Sequence, residues 1–137
     1  MTLLSMLSSN LFATGPQINL TSHYVTAEEA NQQGDRQTAF KEFTIAAHKR
    51  DARAYGKLGS MYLYGLGTPK DYHQAYIWFH MGYLTGERES ERFRDAASSM
   101  MTRAEYLKAV TAAEQQRLKQ QLDKAPPQQI PPVSQRK

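Results

Sequence analysis

The chain has 137 residues and no cysteine, which rules out disulfides, thiolate chemistry and cysteine-ligated zinc and leaves room for one hydrophobic core but not comfortably two. Seventeen lysines and arginines stand against thirteen aspartates and glutamates, a net charge of +4 with a sequence pI near 9.4. Arg117, Lys119, Lys124, Arg136 and Lys137 against Asp123 supply the whole excess; the rest of the chain balances, twelve basic against twelve acidic, and so has no overall pull toward nucleic acid or a membrane surface.

Leu3, Leu4, Met6, Leu7, Leu11, Phe12 and Ala13 make an apolar run sized for the core of a signal peptide and too short to span a membrane. No lysine or arginine precedes it, and Ser8, Ser9 and Asn10 interrupt it, so residues 1–18 read either as a signal peptide or as an N-terminal helix laid on the domain. The first reading makes the protein periplasmic or secreted in a bacterium; the second makes it cytoplasmic. Asn19-Leu20-Thr21 fits the glycosylation sequon, a pattern short enough to arise by chance. Thr26-Ala27-Glu28-Glu29 has the Thr-x-x-Glu form of a capping box and predicts a short helix from there to about Gly34. Asp35 is placed to cap a second helix in which Ala39, Phe40, Phe43, Ala46 and Ala47 share a broad apolar face.

The most specific stretch runs from Ala52 to Gly86. Ala54, Leu58 and Tyr62 recur every four residues with Gly59 beside them, the stripe of a helix that packs closely. Gly65-Leu66-Gly67-Thr68-Pro69-Lys70-Asp71 then supplies a glycine for a left-handed cap, a proline that cannot continue the helix and an aspartate to start the next. Ala75, Trp78, Phe79 and Gly86 follow on that second helix. The order Ala-x-Ala, Leu-Gly, Tyr, Gly-x-Gly, Asp, Ala, Trp-Phe, Gly resembles the Sel1-like repeat family, relatives of the tetratricopeptide repeats built from stacked antiparallel helix pairs. Gly82 and Tyr83 stand where that family usually has two alanines, which implies altered packing of the second helix. An offset of 36 residues lays Ala39 on Ala75, Phe40 on Tyr76, Phe43 on Phe79 and Ala46 on Gly82, so the preceding hairpin reads as a degenerate first repeat.

Beyond Gly86, Glu87 to Asp95 alternates charges, with Arg88 to Glu91 and Glu91 to Arg94 at helical spacing, while Phe93, Ala96, Ala97, Met100 and Met101 give the same helix an apolar side. Thr102-Arg103-Ala104-Glu105 is a second capping box, opening a last helix expected to run to about Asp123. A Thr-capped, alanine-rich final helix resembles the usual ending of Sel1-like arrays, where it covers an otherwise exposed repeat face. The expected architecture is an all-α, short α/α solenoid spanning residues 19–123. Residues 124–137, rich in proline and glutamine, are expected to be a disordered basic tail.

Catalytic groups are not assembled by the spacing. His73 and His80 lie two turns apart, about 10 Å at 1.5 Å per residue, too far for one metal. Gly65-Leu66-Gly67 lacks the strand and the third glycine of a nucleotide loop, and Ser98, Ser99 and Asp95 have no histidine placed to make a nucleophile. Trp78, Phe79, Tyr62 and Tyr76 could form a stacking platform, but their helical spacing favours the core. No metal, cofactor or small-molecule substrate is expected.

By analogy with tetratricopeptide arrays, first helices of successive hairpins line a groove; on Ala52 to Tyr64 that face is Arg53, Gly56, Lys57, Ser60, Leu63 and Tyr64. The expected function is non-catalytic binding of a peptide or partner protein, as an adaptor or scaffold. Two rivals stand beside it: an inhibitor or immunity-type protein that blocks a secreted enzyme, and a cell-envelope or nucleic-acid accessory factor using the basic C-terminal arm. Nucleic acid is the less favoured partner. Because about three repeats are needed for a stable array, a homodimer is a further expectation.

Overall fold

The computed structural model describes residues 22–125, which form six helices and no strand. The apolar run Met1–Ala13, the sequon Asn19-Leu20-Thr21 and the tail from Pro126 onward lie outside the described residues. In chain order the helices are α1 (His23–Gln32), α2 (Arg36–His48), α3 (Arg53–Tyr64), α4 (Tyr72–Leu84), α5 (Arg88–Ser99) and α6 (Arg103–Leu122). Within these bounds no helix is long and apolar enough to cross a membrane.

The first helix begins earlier than the Thr26 box predicts. Ser22 is its N-cap, accepting from the Val25 amide at 3.3 Å, and the Thr26 amide is already bonded to the Ser22 carbonyl at 3.1 Å. Starting there brings Tyr24 onto the core, where its ring meets Phe43 edge-on at 5.6 Å. Burial of that ring favours Ser22 over an equally competent threonine one turn later.

The offset of 36 holds for the helix bounds and most of the buried face, though Phe40 is only partly buried where Tyr76 is buried. Both α2 and α4 are 13 residues long and start after an aspartate, Asp35 accepting from Thr38 N at 3.1 Å and Asp71 from Gln74 N at 2.9 Å. Ala39 and Ala75, Phe43 and Phe79, and Ala46 and Gly82 are buried at equivalent places.

Between α3 and α4 the chain turns on Gly65, left-handed at φ 70° and ψ 47°, while Leu66 N bonds back to Met61 O at 2.9 Å. Gly67, at φ 73°, sits against the Arg36 carbonyl, where any Cβ would collide with backbone, so the turn of one hairpin is keyed to the α2 start of the other. Gly59 lets α3 lie directly on the Phe79 ring; a Cβ there would stand 2.9 Å from a ring carbon.

Two apolar clusters result. The first joins α1, α2 and α3 around Phe43, Leu58 and Trp78, and the second joins α4, α5 and α6 around Phe79, Ala97, Ala109 and Ala113. Helix α4 belongs to both: Ala75 to Phe79 are five consecutive buried residues, as a helix surrounded by neighbours requires. Trp78 stacks with Tyr55 at 5.9 Å and meets His48 at 5.4 Å, so the aromatics of this stretch are core rather than a stacking platform.

Helix α6 closes the second cluster. Its capping box is complete, with Glu105 N bonded to Thr102 Oγ1 at 3.3 Å and Thr102 N to Glu105 Oε2 at 2.8 Å. Ala109 and Ala113 let it approach α4, where Tyr106 meets Tyr76 edge-on at 5.6 Å and Glu114 meets His80 at 3.3 Å. Its far end returns to the first hairpins: Tyr55 OH donates to Gln120 Oε1 at 3.1 Å, and Arg50 pairs with Asp123 at 3.3 Å.

Candidate functional site

The first helix of each successive pair, α1, α3 and α5, contributes to one face. Along α3 this face carries the six residues singled out by spacing. Arg53 forks onto Asp51 at 2.6 and 2.9 Å and lays its guanidinium 4.4 Å from the Tyr24 ring centre. That fork holds the Asp51 carboxyl below the usual carboxylate range. Lys57 reaches across to Glu28 of α1 at 2.8 Å, and the bond to Glu28 raises the Lys57 pKa above the ordinary lysine value. Ser60 donates to the Gly56 carbonyl at 2.9 Å. Leu63 is largely buried, and Tyr64, its neighbour, is 53% exposed.

These residues divide between two clefts bounded by α5. The first, about 230 Å³, is lined by Gly56, Lys57, Ser60, Phe79, Phe93 and the acidic start of α5. The second, about 310 Å³, is formed by Leu63, Tyr64, Lys70 and Tyr72 on one side and Ala96, Ser99 and Met100 on the other. Arg53 lines neither; it belongs to the α1 side of the face.

Glu87 has a particular role at the first cleft. It is the N-cap residue of α5, yet its side chain caps none of that helix's backbone amides. Its carboxylate turns instead to the buried Ser90 hydroxyl, accepting at 2.5 Å, and lies in a slot left by Gly56 and Gly82. An alanine at 82 would place its Cβ 2.5 Å from Ser90 Oγ and 3.2 Å from Ser90 Cβ, so the glycine that departs from the family's alanine pair makes room for this residue pair. Glu28, Glu87 and Ser90 carry no spacing signal of their own on α3; their part depends on which helices are neighbours.

A third cleft, about 180 Å³, lies where α4 and α6 begin, between Asp71, His73, Glu105 and Lys108. Both carboxylates are occupied as helix caps, and the Thr102 bonds keep the Glu105 carboxyl below its ordinary value. His80 faces Glu114, whose carboxyl is lowered chiefly by the bond from Arg117, and His23 sits between Glu42 at 2.7 Å and Lys49 at 3.0 Å. Burial, with the Tyr106 hydroxyl beside it, pushes Tyr76 up to about 12. Among the described residues no three histidine, aspartate or glutamate side chains group as a metal site.

An uncharacterized Sel1-like repeat-containing protein of Schizosaccharomyces pombe is 36% identical to this chain over 67 residues, 48% of the chain and 10% of the relative. Over that stretch the chain is similar to a protein with Sel1-like repeats. The matched length is close to two of the 36-residue repeats that separate Asp35 from Asp71, and the Sel1-like match spans only about a tenth of that curated relative. No family model matches the chain, and no solved structure does.

Proposed function

We propose that this Sel1-like chain is a non-catalytic interaction module in which the α1, α3 and α5 face receives a peptide or a segment of a partner protein. The observation that carries this reading is the groove itself. Two adjoining clefts run beside α3, and their rims include large side chains left uncovered, Tyr64 at 53% and Met100 at 59% exposure. Aromatic and methionine side chains left open next to a small-residue floor suit protein contact. The Sel1-like relative supports the same class of work, since stacked helix pairs offer extended surfaces.

The test uses the full chain. A partner that co-purifies with it should be lost on Tyr64→Ala combined with Met100→Ala, both exposed on the groove rim, with the melting temperature nearly unchanged, and retained on Leu118→Ala, which alters the exposed side of α6. Loss on Leu118→Ala with retention in the groove variant would move the site to α6 and overturn the proposal.

A further inference from the structure

The charge around the first cleft points to a particular kind of occupant. Three carboxylates, Glu28, Glu87 and Glu89, surround one cation, Lys57, and Lys57 is already bound to Glu28. Among the described residues neither Glu87 nor Glu89 takes part in an ion pair. Glu87 is also fixed in place: the Ser90 hydroxyl holds one oxygen, and Gly56 and Gly82 leave the space in which the carboxylate lies. A carboxylate positioned before its partner arrives loses little freedom on pairing. The neighbouring cleft is of the opposite kind, walled by Leu63, Tyr64, Ala96 and Met100. Along α3 the two are centred roughly 8 Å apart, taking 1.5 Å per residue, a distance that an extended segment covers in two or three residues at about 3.3 Å each.

We infer that the α3–α5 groove takes an extended, basic segment of a partner protein, with an arginine or lysine head on Glu87 and Glu89 and a large apolar side chain two or three residues away in the Leu63, Tyr64 and Met100 cleft. This rests on the groove reading above and adds the chemistry of the ligand.

The experiment pans a phage-displayed library of random dodecapeptides on the immobilised full chain and measures the strongest sequences, as synthetic fluorescent peptides, by anisotropy. Enriched peptides should carry Arg or Lys two or three positions from a large apolar residue. Binding should weaken by about tenfold or more in Glu87→Gln with Glu89→Gln, and weaken further with added salt. Glu87→Gln keeps an oxygen that accepts from Ser90, so the variant should melt with the parent. Neutral or acidic peptides that ignore the charge variant but are lost on Tyr64→Ala would overturn the basic-segment inference and leave the groove reading standing. Peptides indifferent to both sets of changes, or no enrichment, would overturn both. Displacement of the peptide by a synthetic peptide of residues 126–137 would assign the groove to this chain's own segment. Sedimentation as a dimer that Glu87→Gln with Glu89→Gln dissociates would assign it to a second copy, and either result overturns a partner segment.

Discussion

At the scale of single residues, the departures from the repeat pattern are informative because each has a neighbour that explains it. Gly82 stands out in the sequence, but the atoms that need its space, on Glu87 and Ser90, belong to the next helix and cannot be inferred from spacing within α4. Gly82→Ala is expected to destabilise the fold by about 1–3 kcal/mol, the usual cost of forcing an extra methyl into a filled site, measured as a lower urea midpoint at unchanged slope. Arg50 has the opposite sign. It is the one non-glycine residue among those described with positive φ, at 66°, in the turn between α2 and α3. Relieving a left-handed backbone is worth about 1 kcal/mol, and its half-exposed pair with Asp123 is worth less. Arg50→Gly is therefore expected to raise the melting temperature, and a fall would show that the Asp123 contact matters more than the backbone.

At the scale of elements, helix ends were legible wherever one side chain decides them. Asp35, Asp71, Gly65 and the Thr102 box all act as their residue types predict, because a cap is a local bond between residues three or four apart. The start of α1 is ambiguous in the sequence because two hydroxyl residues can each cap it, and the choice is made by Tyr24 reaching Phe43 of α2. Of the two spaced pairs in α5, Glu91 meets Arg94 at 3.8 Å, Arg94 also bonds Asp95 at 3.0 Å and lies 4.9 Å from the Tyr83 ring centre, and among the described residues Arg88 and Glu91 do not pair. The caps make a pH prediction. Bonds from Thr38 and Thr102 hold the carboxyls of Asp35 and Glu105 below their ordinary values, so what they contribute is present above the unfolded pKa of about 4 and is lost as pH falls through the lowered folded values. The melting temperature should hold near neutrality and decline in acid below about pH 4. Asp35→Asn should flatten part of that decline, whereas an unchanged acid limb would mean that other carboxylates set it.

At the scale of the whole molecule, the joining of two clusters through α4 governs how the fold fails. Trp78 reports on the first cluster, and Phe79, the next residue, fills the second. Phe79→Ala should cost about 3–5 kcal/mol, with Trp78 fluorescence and helical ellipticity still falling together. Separate transitions would show that the hairpins melt independently. The helical class and the repeat offset could be read from the sequence because both rest on periodicity. The groove could be read only along α3; its acidic wall is made of residues brought in by α1 and α5, whose places follow from packing. The same holds for α6, whose return to Tyr55 and Arg50 ties the last helix to the start of α3 across more than sixty positions of chain.

The carboxylate that leaves its own helix uncapped has one more consequence. With Glu87 turned toward the Ser90 hydroxyl, no side chain caps the leading amides of α5, and fraying is expected to begin at this end of the rod. Deuterium should enter there before it enters the well-capped leading turn of α6. Because this same turn forms one bank of the groove, slowing of its exchange becomes a built-in gauge of whatever settles alongside it.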